Sequence, residues 1–233
     1  MLVVGFDCTA PRLTLGISDG DRTLGRWDDA PQRHRGDALD GLIDRALTEI
    51  GMTRAEVRGL ALVTGPGSLT ATRLGWATAC GWAKATGIPI TGWTTPRVQW
   101  RKWMGDNSTC AGVTKHIRSG AIVYCMIHHR GLEFYCYQLA VGSPPGNPVA
   151  VLLDEWRPPA VPALLLGPGL LSHRDRWAAM ITPNLEIVSE EEALVGGDTL
   201  AQWGIAELSA GRRLDPTISP LDYGLPPTFR KAS

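Results

Sequence analysis

The order in which strand-like and helix-like apolar patterns alternate constrains this chain more than any single residue does. Leu2 to Cys8, Leu13 to Ser18 and Thr23 to Trp27 are apolar runs of strand length, and Asp19-Gly20 is a hairpin signal between the last two. Three sequential antiparallel strands are predicted. The period then changes. Leu39, Leu42, Ile43, Ala46, Leu47 and Ile50 fall at i, i+3, i+4, i+7, i+8 and i+11, one face of a helix over 37–50. Asp37 is placed to cap its start and Gly51 to end it. Thr53 to Glu56 has the pattern of a capping box on one helical turn. Gly59 to Thr64 reads as a fourth strand. Ser68 is a good N-cap for a helix to about Thr86, which Gly87 would end. Ile88 to Trp93 is a fifth strand, and Thr95-Pro96 opens another helix.

Three antiparallel strands followed by α-β-α-β is the order of a ribonuclease-H-like lobe, as in actin, the sugar kinases and the heat-shock ATPases. The second half reads as a reduced copy. Residues 105–119 are polar and aperiodic, a connection. Ala121 to Ile127 and Leu132 to Val141 form a predicted hairpin. Val149 to Leu153, Ala163 to Leu166 and Leu185 to Ser189 are further strands, residues 170–180 a helix, and Asp198 caps a last helix to about Ala210. The expected fold is α/β with two ribonuclease-H-like lobes, over 1–104 and 105–197. The helix over 198–211 is a candidate to join the first lobe, and 212–233 is a tail.

The chain has 233 residues, with 23 basic against 23 acidic, so its formal charge is zero. Phosphate binding is mostly cationic, so this balance argues against a chain that holds nucleic acid by itself, though a local basic patch stays open. The five cysteines, Cys8, Cys80, Cys110, Cys125 and Cys136, include no C-x-x-C pair, so reduced thiols are expected rather than a disulfide framework or zinc site. Met1 to Thr9 lacks a basic leader and reads as a strand, and no apolar run approaches the ~20 residues of a membrane helix. A cytoplasmic protein with no membrane contact is expected.

Chemistry-bearing motifs are sparse. Gly65 to Thr70, G-P-G-S-L-T, turns from a strand into a helix and could cradle a phosphate on backbone N–H groups. It lacks the lysine of a P-loop. The alternative is a tight turn with a serine cap. Asp7 resembles the acidic residue that holds a metal-nucleotide in actin-like ATPases, but the following loop, Cys8 to Leu13, has no glycine to bring backbone close to phosphate. His34, His116, His128, His129 and His173 show no H-E-x-x-H pattern, and Ser68 is not in G-x-S-x-G. Nine tryptophans are unusual; those on predicted helices, Trp76 and Trp82 among them, read as core or interface packing.

Val57 to Trp93 resembles the signature of the bacterial TsaB (YeaZ) family at Gly65, Pro66, Gly67, Ser68, Thr70, Arg73, Gly75, Ala77, Ala79 and Gly81. Asp7 to Ala10, Arg33-His34 and Arg130 to Tyr135 resemble further family segments, and the tail around Pro220 and Tyr223 does so loosely. Leu69, Ala71, Trp76, Trp82 and His128 depart from the usual family residues.

The resemblance implies a non-catalytic subunit that binds a TsaD-like paralogue and, with a TsaE-like ATPase, supports threonylcarbamoyladenosine formation beside the tRNA anticodon. It implies no cofactor on this chain, with ATP, ADP and a metal confined to partner subunits. A homodimer is a further possible assembly. The expected interface lies on two helices: Leu39, Leu42, Ile43 and Ala46 on the first, and Ala71, Leu74, Gly75, Thr78 and Ala79 on the second. Ala71, Gly75 and Ala79 form a small-residue stripe that would admit a partner helix. Gly65, Pro66, Gly67 and Ser68 form the signature turn, expected to be structural. The alternatives are an actin-like nucleotide-dependent enzyme and a peptidase.

Overall fold

The computed structural model describes residues 1–29, 35–104 and 120–225. Arg33, His34, the 105–119 connection and the end of the tail lie outside the described residues. The first sheet contains β1 (Leu2–Asp7), β2 (Leu13–Asp19), β3 (Arg22–Asp29), β4 (Gly59–Val63) and β5 (Ile90–Trp93), in the order β3-β2-β1-β4-β5. β1 is antiparallel to β2 and parallel to β4, so Phe6 lies between Leu15 and Leu62. α1 (Arg35–Glu49) and α2 (Leu69–Thr86) connect the strands as the periodicity predicts. The capping box at Thr53 and Glu56 is present. Gly87 ends α2 at φ 76°, a left-handed conformation in which a Cβ is strained.

Both faces of this sheet are covered, which is why its strands read as nearly unbroken apolar runs. Val4, Phe6, Leu15, Ile17, Leu60 and Leu62 meet α1 and α2 on one face. On the other, Val3 and Ala61 meet the last helix. Each fully buried Leu or Ile contributes about 1.5–3 kcal/mol relative to an exposed one.

The second sheet consists of β6 (Ile122–Arg130), β7 (Glu133–Leu139), β8 (Val149–Leu152), β9 (Ala163–Leu166) and β10 (Leu185–Ile187), in the order β8-β7-β6-β9-β10. Its founding strand β6 is again antiparallel to the second strand and parallel to the fourth. The two sheets therefore share one topology. The second is the reduced copy, because the residues joining β8 to β9 form no helix.

Four local expectations are corrected. Asp37 does not cap α1, which opens at Arg35 and holds Asp37 inside its first turn. Residues 170–180 are not one helix. A 3-10 turn, Pro168–Leu171, is separated from the short α4 (Arg174–Ala178) by His173 at φ 58°. The strand expected over Leu185 to Ser189 stops at Ile187, and Ser189 instead caps the short α5 (Glu190–Ala193). Asp198 does not cap the last helix, α6 (Gly197–Ser209); Gly196 holds that position. The reason is packing. A Cβ at Gly197 would collide with the backbone of Leu15 and Gly16, and one at Gly5 would strike Gly197 and Ala201. α6 thus beds on β1 and β2 at backbone distance, and only glycine permits that start.

α3 (Thr95–Met104) leads out of the first sheet. The tail returns along it: Leu214 N–H donates to the Ile90 carbonyl at 2.8 Å, and Asp222 N–H to that of Thr64 at 2.9 Å.

Candidate functional site

The G-P-G-S turn sits where the two lobes face one another. It and the β1–β2 loop supply one wall of a ≈380 Å³ cleft; Ile127, His128, His129, Pro168, Gly169 and Ser172 supply the other. The turn is fastened on both sides. Thr95 donates its N–H to the Gly65 carbonyl and its hydroxyl to the Pro66 carbonyl, both at 2.6 Å. Ser68 N–H donates to the Thr9 carbonyl at 2.9 Å, and a Cβ at Gly67 would collide with that same oxygen. Gly65 has φ 99°, and the carbonyl of Asp222 in the tail passes directly over it. The Gly65–Pro66 peptide is cis.

The expected serine cap is corrected. Ser68 occupies the N-cap position but its side chain makes no cap hydrogen bond. Its carbonyl instead accepts from the N–H and the hydroxyl of Thr72, at 2.8 Å each. The turn is held by Thr9 and Thr95; the sequence places Thr95 at the start of α3 and Thr9 in the segment after Asp7, but gives neither a part in the turn. The hydroxyl after a β1 carboxylate and the first hydroxyl of α3 were the available signals.

Asp7 is buried at the end of β1, 4% exposed. Thr9 donates both its N–H and its hydroxyl to Asp7 Oδ1, at 2.7 Å each. The Thr9 and Thr95 hydroxyls lie 3.3 Å apart. Their protons are directed elsewhere, to Asp7 and to Pro66. Asp7 thus organises the loop that follows it. The fold class implies a metal-bound nucleotide at this cleft, but these residues do not fit one: Oδ1 is bonded into its own loop, and Ala10-Pro11 replace the glycine that would admit phosphate. Among the described residues, no three His, Cys, Asp or Glu side chains are grouped to hold a metal.

The opposite wall carries the histidines. His128 and His173 each place Nε2 against the Gly131 carbonyl, at 3.0 and 2.8 Å, with their rings 5.8 Å apart. His129 packs on Tyr135 instead, 4.8 Å between centroids. The tandem rings therefore have separate neighbours, as an extended strand dictates. Burial, then Arg130, lowers the pKa of His129 below the ordinary imidazole value. Arg130 and Glu133, from the R-G-L-E-F-Y segment, pair at 2.9 Å.

The residues expected at the partner interface divide sharply. Leu39, Leu42, Ile43, Ala46, Ala71, Gly75 and Ala79 are all buried within the chain's own first lobe. A Cβ on Gly75 would lie 3.2 Å from Cys8 Sγ and 3.5 Å from Phe6. The small-residue stripe faces β1, and the packing argument that aimed it at a partner is corrected. Leu74 and Thr78 are half-buried and reach the surface beside exposed Ala77, Gly81 and Ala85. Trp76 and Trp82 are core residues, 9% and 7% exposed. From the tail, Tyr223 lies under the Arg73 guanidinium, 5.5 Å from the ring centroid.

Solved structures match this arrangement along nearly its whole length. YeaZ from Pseudomonas aeruginosa superposes with a TM-score of 0.66 and 17% identity, covering 95% of this chain and 99% of that one. A second structure from the same organism, described as similar to peptidase YeaZ, gives 0.66 and 18%, covering 96% and 99%. The chain has the YeaZ fold. The Clostridium difficile activator of 2-hydroxyisocaproyl-CoA dehydratase, solved with bound ADPNP, shares the YeaZ-like architecture more distantly: TM-score 0.51, 8% identity, 91% of this chain and 97% of that one. The family model for TsaD, tRNA N6-adenosine threonylcarbamoyltransferase, matches residues 29–96, the stretch that holds α1, β4, the signature turn, α2 and β5. No curated protein sequence gives a match. The two-lobed class read from the sequence is borne out, and the YeaZ resemblance holds at the level of the fold.

Proposed function

We propose that this YeaZ-like chain is a TsaB-type, non-catalytic subunit that pairs with a TsaD-type paralogue in forming N6-threonylcarbamoyladenosine on tRNA. The observation that carries the reading is a conjunction. The described lobes follow the YeaZ fold, in a match over 95% of the chain, while the α1-to-β5 segment matches the TsaD model. Two proteins that share this segment can join through equivalent helices, much as identical subunits join about a two-fold axis.

The interface proposed is the outer side of α1 and α2, with Leu74 and Thr78 at the surface and Leu39, Leu42, Ile43, Ala46, Ala71, Gly75 and Ala79 packed beneath as its support. Homodimer and heterodimer would compete for it. The chain carries no cofactor of its own; ATP, ADP and metal belong to the TsaD-type and TsaE-type partners. No helix among the described residues is long and apolar enough to cross a membrane, and the proposed setting is the cytoplasm.

The test is co-elution of the purified chain with the TsaD-type protein of its host, followed by light scattering. A stable heterodimer is expected. Failure to associate, or ATPase or peptidase turnover by the isolated chain that Asp7→Ala abolishes, overturns the reading.

A further inference from the structure

A second concavity, ≈1370 Å³, runs between α3, α6 and the edge strand β5, and shares no residue with the interlobe cleft. Its walls carry six cationic side chains against two carboxylates, although the chain as a whole balances 23 against 23. Neutrality overall therefore conceals a local excess of positive charge. Three half-buried indoles, Trp93, Trp100 and Trp203, line the same groove.

Cations and rings are interleaved. Trp93 and Trp203 meet edge to face at 6.0 Å. Arg101 lays its guanidinium over both, 5.5 and 4.7 Å from their centroids, and pairs with Glu207 at 3.2 Å. Arg212 shares that glutamate. Lys102 is anchored on the carbonyls of Glu192 and Leu194. Arg97 lies over Trp100, 5.2 Å from its centroid. Arg97 and Arg213 form no ion pair among the described residues, so both keep charge available for a ligand.

We propose that this groove binds single-stranded RNA. Phosphates would pair with Arg97 and Arg213, and bases would stack on the indole faces and on the guanidinium plane of Arg101. The volume exceeds the ~300–1,000 Å³ usual for a small-molecule pocket, which favours an extended strand over a single nucleotide. An acidic peptide would satisfy the arginines but leave three indoles in the groove without a role. The proposal does not depend on the TsaB reading, because it concerns the isolated chain.

The experiment is fluorescence anisotropy of a short labelled single-stranded RNA oligonucleotide titrated with the full chain at several salt concentrations. Binding is expected, weakening steadily with salt. The double variant Arg97→Glu, Arg213→Glu should lose roughly tenfold or more in affinity, and its salt slope should be shallower by about 0.7 per lost phosphate contact. Trp203→Leu, checked for folding by circular dichroism, should weaken binding without changing that slope. Absence of salt-dependent binding by the unaltered chain overturns the proposal, as does unchanged affinity in the double variant. Equal or tighter binding of a polyglutamate peptide would assign the groove to an acidic protein and also overturn it. Running the co-elution assay on the same arginine variants separates the two ideas: retained heterodimer with lost RNA binding leaves the TsaB-type reading intact.

Discussion

A threonine hydroxyl, not a serine cap, fixes the signature turn. Ser68→Ala removes no cap bond, so its effect on stability should stay within about 0.5 kcal/mol. Thr95→Val leaves the buried Pro66 carbonyl without its hydroxyl donor and should cost about 1–3 kcal/mol. Urea denaturation of the two variants checks the contrast, and a Ser68 effect as large as that of Thr95 would refute it. The thiols give a second residue-scale prediction. Burial raises the pKa of Cys125, that of Cys136 to about 11, and to a lesser degree that of half-exposed Cys80. A raised thiol pKa lowers the reactive thiolate fraction at a given pH. Among Cys8, Cys80, Cys125 and Cys136, alkylation at about pH 8 should therefore reach Cys80 first. Labelling of Cys136 should keep climbing with pH up to about 11, beyond the range in which an ordinary thiol levels off. Mass mapping of the alkylated peptides reads out the order.

At the scale of elements, α2 shows what a sequence can reveal and where it stops. Its length, its start and its glycine stop were legible because they depend on neighbours in the chain. Its orientation was not. α2 carries two small-residue stripes, Ala71-Gly75-Ala79 and Ala77-Gly81-Ala85, and periodicity alone does not say which one meets the sheet. Phe6 and Cys8, far away in sequence, decide it by receiving Gly75. This yields a paired prediction. Gly75→Arg would drive an arginine into the first-lobe core, where an unpaired charge is costly, and should unfold the chain. Ala77→Arg points outward and should leave circular dichroism unchanged while abolishing co-elution with the TsaD-type protein. A folded Gly75→Arg chain, or normal association by Ala77→Arg, would contradict the placement. The α3–α6 groove was hidden for a similar reason. Trp93 and Trp203 belong to separate segments, and only the return of the chain across the first sheet brings their rings together. Asp7 was legible as an acidic residue at the end of a strand; its capture by Thr9 was not, because a side-chain bond within the loop leaves no periodic trace.

Across the whole molecule, the first sheet is completed by a helix from far along the chain. α6 lies with its first turn on the backbone of Gly5 and Gly16, and Leu200, Ala201 and Leu208 buried behind it. A methyl group at Gly16 would collide with the backbone of Gly197 and Asp198, so Gly16→Ala should cost about 1–3 kcal/mol or more, read by thermal or urea unfolding. Protein synthesis gives this arrangement a direction in time. The ribosome delivers β1 to β5 before the second sheet, and α6 only after both. Until residues 197–209 emerge, Val3 and Ala61 have no cover, and a nascent chain halted earlier carries a sheet with one bare apolar face. A helix made after both sheets closes the sheet that was made before the other.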